Sequence, residues 1–154
     1  MRDKIRPLSE LLKIMAAHRA AGKKIVFTNG CFDIIHAGHC QYLQEARALG
    51  DILIVAVNSD DSVRRLKPKR PIVPQAQRVV VLSALSAVDY VLIFDEDTPL
   101  QVITALRPDV LVKGGDWAKE SIVGSAIVPE VHSLPYADGL STTGIINKIL
   151  ERYS

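Results

Sequence analysis

The stretch that decides the fold is IVFTNGCFDIIHAGH, which occupies residues 25–39. Its first four residues form an apolar, largely β-branched run that predicts a short buried strand. The run ends at Asn29-Gly30, a pair typical of a chain break, and the residues from about Gly38 onward predict a helix. A strand that leads into a helix in this way is the unit from which parallel α/β sheets are built.

The same alternation of strand and helix continues along the rest of the chain. Residues 8–21 have apolar side chains at helical spacing and predict an opening helix, with Gly22 as its left-handed cap. Residues 75–85 have a valine-rich centre that suits a strand, but their length and alanine content favour a helix. Further strands are predicted at residues 52–57, 89–94, 109–112 and 127–134. Further helices are predicted at 98–106, opened by a capping box at Thr98 and Gln101, and after Ser141 or Thr142 as cap.

These elements predict an α/β protein with a Rossmann-like three-layer α/β/α fold around a parallel central sheet. Residues 1–154 form one domain in this interpretation, with residues 1–22 as an N-terminal helical extension and residues 23–154 as the core. In such sheets, ligands bind outside the carboxyl ends of the strands. Functional residues are therefore expected where the strands end.

The composition excludes several classes of protein. The chain has 154 residues, with 19 Lys and Arg against 17 Asp and Glu, and a net charge of +2 is too small to predict nucleic-acid wrapping. Its longest apolar run, residues 52–57, is far shorter than the roughly 18 residues of a membrane span, and the charged start lacks a signal-like segment. Cys31 and Cys40 are expected to be reduced thiols. We therefore expect a cytoplasmic protein without nucleic-acid or membrane partners.

The first strand end predicts an anion site. His36 and His39 lie where the N–H groups of a helix start can hold phosphate, and they add two donors. Each histidine has a plainer interpretation as a capped or solvated residue, and a zinc site is disfavoured because no further ligand set lies nearby. Asp33 is either a helix-start residue or a carboxylate that orients a substrate hydroxyl or a magnesium-bound water.

Basic residues follow the second strand. Lys67 lies on a long connection from which its ammonium group can close over a triphosphate. Lys69 and Arg70 are interpreted as a solvated loop. Arg78 either points to the same phosphates or forms a surface salt bridge.

Two later junctions have similar chemistry. After the strand at 109–112, Lys113 supplies charge, Gly114 and Gly115 let a ligand approach the backbone, and Asp116 can accept from a hydroxyl or an amine. Trp117 either stacks on a base or packs in the core. Gly139 precedes three successive hydroxyl residues, 141–143, which are more than one helix cap needs and suggest a second phosphate grip.

Together these residues resemble the cytidylyltransferase-like nucleotidyltransferase superfamily. The resemblance extends from about Lys24 to Tyr153 and includes NGCFD at 29–33, HAGH at 36–39, VNSD at 57–60, VKGGD at 112–116 and STT at 141–143. It is greatest for the branch that adenylylates D-glycero-β-D-manno-heptose 1-phosphate. Cytidylyltransferases of glycerol 3-phosphate and similar alcohol phosphates are the alternative. They typically begin almost at the first strand and have an arginine shortly before the Ser-Thr-Thr segment, where this chain has YAD at 136–138.

The resemblance implies an enzyme that transfers AMP from ATP to the heptose 1-phosphate, giving ADP-heptose and pyrophosphate. It also implies the separate form of that enzyme, with no sugar-kinase domain before it. Mg²⁺ is expected to arrive with ATP, with no metal site fixed by the protein alone. A homodimer is expected, with the opening helix as a candidate contact.

The resemblance also implies roles for individual residues. The catalytic set comprises His36 and His39 on the α- and β-phosphates, with Lys67 and Arg78 as phosphate clamps. The nucleotide-binding set comprises Asn29, Gly30, Cys31, Phe32, Gly38, Lys113, Gly115, Asp116, Ser141, Thr142 and Thr143. The set expected near the acceptor substrate or the metal comprises Asp33, Asn58 and Asp60.

Two other classes share parts of this pattern. A nucleotide-binding regulator would keep the glycines and hydroxyls but would not need both histidines. A class I aminoacyl-tRNA synthetase fragment shares the HxGH motif, but this chain has no Lys-Met-Ser-Lys-Ser-like segment and no room for an anticodon domain. Residue types alone do not separate ATP from CTP.

Overall fold

The computed structural model describes residues 2–154; Met1, the first residue of the predicted extension, lies outside them. Within the described residues the strands are β1 (Ile25–Gly30), β2 (Ile52–Asn58), β3 (Tyr90–Phe94), β4 (Val110–Gly114) and β5 (Glu130–Leu134). The α-helices are α1 (Leu8–Ala20), α2 (Ala37–Arg47), α3 (Asp60–Leu66), α4 (Gln75–Ser83), α5 (Leu100–Leu106) and α6 (Thr142–Tyr153). Short 3₁₀ turns lie at Arg2–Lys4 and Lys119–Ser121.

The strands form one parallel sheet in the order β3-β2-β1-β4-β5. Successive residues of β1 face opposite layers. Ile25 and Phe27 belong to a core shared with α1 and α5, whereas Val26 belongs to a core shared with α2 and α4. This arrangement confirms the predicted three-layer α/β/α fold.

Aspartates fix the starts of three strands. Asp51, Asp89 and Asp109 each precede a strand, and each carboxylate accepts a hydrogen bond at 2.8 Å from a backbone N–H on a neighbouring strand or just before it. The donors are the N–H groups of Lys24, Leu53 and Ile25 respectively. Parallel strands need such partners at their ends, because the slanted ladder leaves terminal N–H groups unpaired.

The opening helix, α1, packs against one face of the sheet. Leu11 and Met15 of α1 are fully buried in the core that also contains Phe27. Gly22, at φ 75°, follows the helix as the predicted left-handed cap. In residues 2–154 no helix combines the length and the apolar character needed to cross a bilayer.

Three local predictions differ from the structure. Helix α3 was not predicted; it is capped by Ser59, whose hydroxyl accepts from Ser62 N at 3.1 Å. The capping box at Thr98 is wrong, since Pro99 is the N-cap of α5 and Thr98 Oγ1 makes only a long contact of 3.5 Å with Leu100 N. Strand β5 begins at Glu130 rather than at residue 127, because the chain is still in a turn there.

Candidate active site

A cleft of about 730 Å³ lies outside the carboxyl ends of the central strands. The sheet order reverses between β1 and β4 at this point, which is where parallel α/β sheets bind ligands. Most of the predicted site residues line it: Asn29, Gly30, Cys31, Phe32, Asp33, His36, Gly38, His39, Asn58, Lys67, Lys113, Ser141, Thr142 and Thr143. Those that do not are Asp60, Arg78, Gly115 and Asp116.

Backbone groups at the start of α2 fix both histidines. His36 is the N-cap, and its Nδ1 accepts a hydrogen bond from Gly38 N at 3.1 Å. His39 Nδ1 accepts from His36 N at 3.2 Å, and the two ring centroids lie 4.0 Å apart. Because both Nδ1 atoms accept, the hydrogen-bond network assigns the proton of each neutral ring to Nε2. Both Nε2–H groups remain available to a ligand in the cleft.

Burial keeps these imidazoles neutral. Desolvation lowers the pKa of His39 to about 4, with the neighbouring His36 as a second cause. Desolvation also lowers the pKa of His36. At pH 7 the site therefore presents two uncharged donors beside the positive end of the α2 dipole.

The loop before α2 is strained and tightly packed. Phe32 and Ile34 have left-handed backbones, with φ of 51° and 50°, which bulky and β-branched residues rarely adopt. The Phe32 ring lies 5.5 Å from the His39 ring, measured between centroids, so the strained loop supports one of the imidazoles. Such strain is found mainly at functional sites.

The three hydroxyl residues at the start of α6 have different partners. Ser141 is the N-cap, and its Oγ accepts from Gly144 N at 2.9 Å. Thr142 is buried and donates its hydroxyl proton to Asp33 O at 2.6 Å. Thr143 Oγ1 accepts from Arg70 Nη2 at 2.6 Å. The backbone N–H groups of the first turn are thus the main donors that this helix offers to an anion.

Arg78 corrects a prediction, because its guanidinium is buried away from the cleft. Its side chain is fully buried and donates to the carbonyls of Val73, Cys31 and Asn58. It also donates to Asp60 Oδ1 at 2.9 Å. Arg78 therefore ties the ends of β1 and β2 together and is not the predicted phosphate clamp.

Asp60 likewise lies outside the cleft lining, and protein donors hold one oxygen of its carboxylate, Oδ1. Its carboxylate pairs with Arg78 and accepts from Gln75 N at 2.8 Å, while Asp60 N donates to Gln75 Oε1 at 2.7 Å. Asn58 does line the cleft, and its amide donates to Ser62 Oγ at 3.0 Å. Of these two neighbouring residues, only Asn58 is placed to meet a ligand.

Asp33 is almost fully buried and is held by backbone N–H groups. Its two carboxylate oxygens accept from Ile72 N and Val73 N, both at 2.9 Å. Since both oxygens are engaged, the structure favours a structural carboxylate over one that orients a substrate hydroxyl or a metal-bound water.

The end of β4 places a cation and an aromatic ring at the cleft. Burial lowers the pKa of Lys113, and its Nζ lies 5.8 Å from the centroid of the Trp117 ring. Trp117 is about half exposed, and its Nε1 donates to Gly114 O at 3.0 Å. Gly115 has φ of 108° and serves the turn, while Asp116 is exposed outside the cleft, so neither is placed as predicted.

Tyr136 is a cleft residue that sequence reasoning missed. A Cβ on Gly114 would lie 2.8 Å from Tyr136 Cε1, so the ring rests on the glycine backbone. Desolvation raises the pKa of Tyr136, although the residue as a whole is more than half exposed. Tyr136 lies in a loop, where the sequence has no hydrophobic periodicity that would mark it. Gly114, a glycine at the end of a strand, was the one signal in the sequence that indicated a close contact here.

The basic loop, residues 67–74, contributes two cations to the cleft. Lys67 lines it as predicted, and Lys69 is exposed outside it. Arg70 also lines the cleft and contacts α6, so its interpretation as part of a solvated loop is wrong. Arg70 is held at the cleft by Thr143, a residue that is remote from it in sequence.

The described residues contain no group of three or more His, Cys, Asp or Glu side chains placed to hold a metal ion. Asp33 and Asp60, the predicted candidates, are both engaged by protein donors. The donor set therefore does not fit a metal ion held by the protein itself.

Helix starts and imidazole donors meet here at the switch point of a parallel sheet, an arrangement that suits the phosphates of a nucleotide. A nucleotidyltransferase is a class of enzyme that requires such a site. The chain belongs to the cytidylyltransferase-like family, whose model matches residues 27–148.

Several known proteins are similar to this chain. A relative from Trichlorobacter lovleyi named Bifunctional protein HldE is 54% identical to this chain over 99% of the chain's length. A relative of the same name from Wolinella succinogenes is 55% identical over 96% of this chain. The chain spans about a third of the length of these curated relatives, 32% and 31%.

Solved structures extend the likeness. The lipopolysaccharide core biosynthesis protein from Thermoplasma volcanium is 30% identical with a TM-score of 0.65, covering 75% of this chain and 99% of that one. Pantoate-beta-alanine ligase from Francisella tularensis is 16% identical with a TM-score of 0.54, covering 91% of this chain and 76% of that one. The second likeness concerns the fold alone.

Proposed function

We propose that this chain transfers AMP from ATP to D-glycero-β-D-manno-heptose 1-phosphate, giving ADP-heptose and pyrophosphate. The observation that carries the proposal is the pair of imidazoles whose Nδ1 atoms are both occupied by backbone N–H groups. The motif resemblance to the heptose branch supports the acceptor. The similarity to HldE proteins and to a lipopolysaccharide core biosynthesis protein supports it further.

The reaction is a displacement at the α-phosphorus. An oxygen of the sugar phosphate attacks in line, the bond from the α-phosphorus to the bridging oxygen breaks, and pyrophosphate leaves with the electron pair. His36 and His39 donate from Nε2 to the oxygens on which charge develops. Both imidazoles act as neutral hydrogen-bond donors and not as nucleophiles. Positioning of the substrates and electrostatic stabilisation therefore supply the catalysis.

The remaining cleft residues bind the substrates. The backbone at Asn29 to Phe32 and at Gly38 lies against the phosphates. Lys67 approaches the triphosphate, and the first turn of α6 at 141–143 holds its far end. Lys113 lies towards the nucleoside together with Trp117, and Asn58 lies towards the acceptor. Support for these roles is the position of each residue in the cleft.

The setting of the enzyme is also proposed. Mg²⁺ enters as part of the MgATP substrate and neutralises phosphate charge, while the protein residues orient the triphosphate. Free thiols at Cys31 and Cys40 fit a reducing compartment such as the cytoplasm. Residues 1–154 act as one catalytic domain, in which helix α1 packs on the core at 23–154, and two copies form a homodimer.

Pyrophosphate release tests the proposal. Purified protein with Mg²⁺ is given ATP, CTP or GTP, each with β-heptose 1-phosphate or glycerol 3-phosphate. We expect turnover with ATP and the heptose phosphate only. Turnover with CTP and glycerol 3-phosphate would move the chain to the alcohol-phosphate branch, and no turnover with any pair would contradict the proposed reaction.

A further inference from the structure

Three segments are joined by hydrogen bonds at one end of the cleft. The Asp33 carboxylate holds the basic loop through Ile72 N and Val73 N, and the Asp33 carbonyl accepts from Thr142 Oγ1. The loop returns to the same helix start, because Arg70 Nη2 donates to Thr143 Oγ1 at 2.6 Å. Asp33, the basic loop and the start of α6 are therefore each hydrogen-bonded to the other two.

These hydrogen bonds hold the guanidinium of Arg70 beside the start of α6, whose N–H groups can bind an anion. Arg70 has five N–H donors, and its Thr143 bond uses only one of them. Among the described residues no carboxylate pairs with Arg70, whereas Arg64, Arg65 and Arg78 each pair with an aspartate. Arg70 is partly buried and lines the cleft. Its guanidinium therefore has no ion-pair partner among the described residues and is bonded to a side chain in the first turn of α6.

We propose that Arg70 binds the β- or γ-phosphate of the nucleoside triphosphate, and that Asp33 is the positioning residue that holds Arg70 at the start of α6. The proposal deepens the proposed nucleotidyl transfer and rests on it. It gives Arg70 the phosphate-clamp role that the sequence suggested for Arg78. It also assigns Asp33 to the loop rather than to the acceptor or to a metal ion.

The chemistry of the contact favours a phosphate. A hydroxyl oxygen is a neutral acceptor, and a phosphate oxygen is a charged one that makes a shorter and stronger bond with guanidinium. The planar guanidinium can also bind two phosphate oxygens at once. Thr143 therefore holds Arg70 near the helix start until a phosphate replaces it.

Binding measurements with two nucleotides test the role of Arg70. Calorimetric titration compares MgATP with AMP for wild type, Arg70→Gln and the control Lys69→Gln, which removes the same charge from an exposed residue of the same loop. We expect Arg70→Gln to weaken ATP binding about 10- to 100-fold, the usual value of a charged hydrogen bond, with AMP binding changed less than about twofold. Lys69→Gln should leave both within about twofold.

The outcomes separate this proposal from the proposed reaction. Equal weakening of ATP and AMP in Arg70→Gln, or an ATP loss no larger than in Lys69→Gln, would overturn the phosphate role. Wild-type protein that does not bind ATP would overturn both proposals. The expected ATP pattern without pyrophosphate release on heptose 1-phosphate would support Arg70 and contradict the acceptor.

Asp33→Asn tests the positioning role, because an amide has one acceptor oxygen for two backbone donors. We expect the KM for ATP to rise while the KM for the sugar phosphate stays within about twofold. In the double variant with Arg70→Gln, the losses should not add, since both changes remove one interaction. A raised KM for the sugar phosphate alone would overturn the positioning role. If Asp33→Asn fails to fold, the titrations of Arg70→Gln still decide the phosphate contact.

Discussion

Gly38→Ala would disturb His36 without changing any donor. A Cβ on Gly38 would lie 2.9 Å from His36 Cε1, 3.0 Å from His36 Nδ1 and 3.1 Å from Leu140 Cβ. Separations this small are tighter than ordinary van der Waals contacts, so the imidazole has to shift. The shift would lengthen the bond from Gly38 N to His36 Nδ1 that fixes the tautomer.

The expected magnitudes differ for stability and for rate. Alanine in a helix is favoured over glycine by about 1 kcal/mol, and overpacking costs about 1–3 kcal/mol, so the free energy of unfolding should fall by no more than about 2 kcal/mol. Loss of one transition-state donor typically lowers kcat about 10²- to 10³-fold. A displaced donor should retain part of this effect, and we expect kcat to fall about 10- to 100-fold.

Gly50→Ala provides the matched control. Its Cβ would lie 2.6 Å from Val26 Cγ2 and 2.9 Å from Lys24 O, at the opposite end of the sheet from the cleft. We expect Gly50→Ala to lower the free energy of unfolding by about 1–3 kcal/mol with kcat within about threefold of wild type. The assays are pyrophosphate release and denaturant unfolding. Wild-type kcat in Gly38→Ala, or an equal loss of kcat in both variants, would contradict the dependence of catalysis on the position of His36.

Three further predictions concern the charged and titrating groups. His36→Ala should keep the fold and lower kcat about 10²- to 10³-fold in the pyrophosphate assay; a loss below about tenfold would remove His36 from the catalytic role. Because the pKa of His39 is lowered to about 4 in the folded state, the unfolded chain takes up its proton first as the pH falls. The free energy of unfolding should therefore drop between about pH 6.5 and 4, by about 1–2 kcal/mol after allowance for solvent screening of a partly exposed ring. Urea titrations should show a shallower drop in His39→Gln, and an unchanged slope would contradict the lowered pKa. Arg78→Met should cost about 3–5 kcal/mol in the same titrations, because it removes the ion-pair partner of Asp60 and the side chain that donates to three carbonyls; a stable variant with weakened ATP binding alone would restore the clamp role.

The layers of the fold were predictable because they depend on local patterns. The apolar run at 52–57 predicts a strand covered on both faces, and β2 is buried along its whole length. Helix α3 was not predicted, since DDSVRRL has too few apolar residues for a helical period. Its N-cap Ser59 and the acidic first turn were the signals that remained.

The site was predictable in its position and less so in its individual contacts. HxGH after a buried strand located the imidazoles, because a motif and its own helix start are adjacent in sequence. The positions of Arg70 and Arg78 were not predictable: Arg70 lines the cleft and Arg78 is buried, because their partners are contributed by remote segments at Thr143, Cys31 and Asn58. Residue type and spacing do not reveal which of two nearby arginines will be buried.

Adenylyl transfer to the sugar phosphate is tested by the ³¹P NMR spectrum of a reaction containing wild-type protein, Mg²⁺, ATP and D-glycero-β-D-manno-heptose 1-phosphate. We expect the sugar phosphate signal to disappear as two coupled signals of a diphosphate diester grow, with the pyrophosphate signal equal to the sum of those two because the products form in equimolar amounts. Formation of ADP with a sugar bisphosphate would contradict attack at the α-phosphorus. An unchanged spectrum would contradict the proposed acceptor.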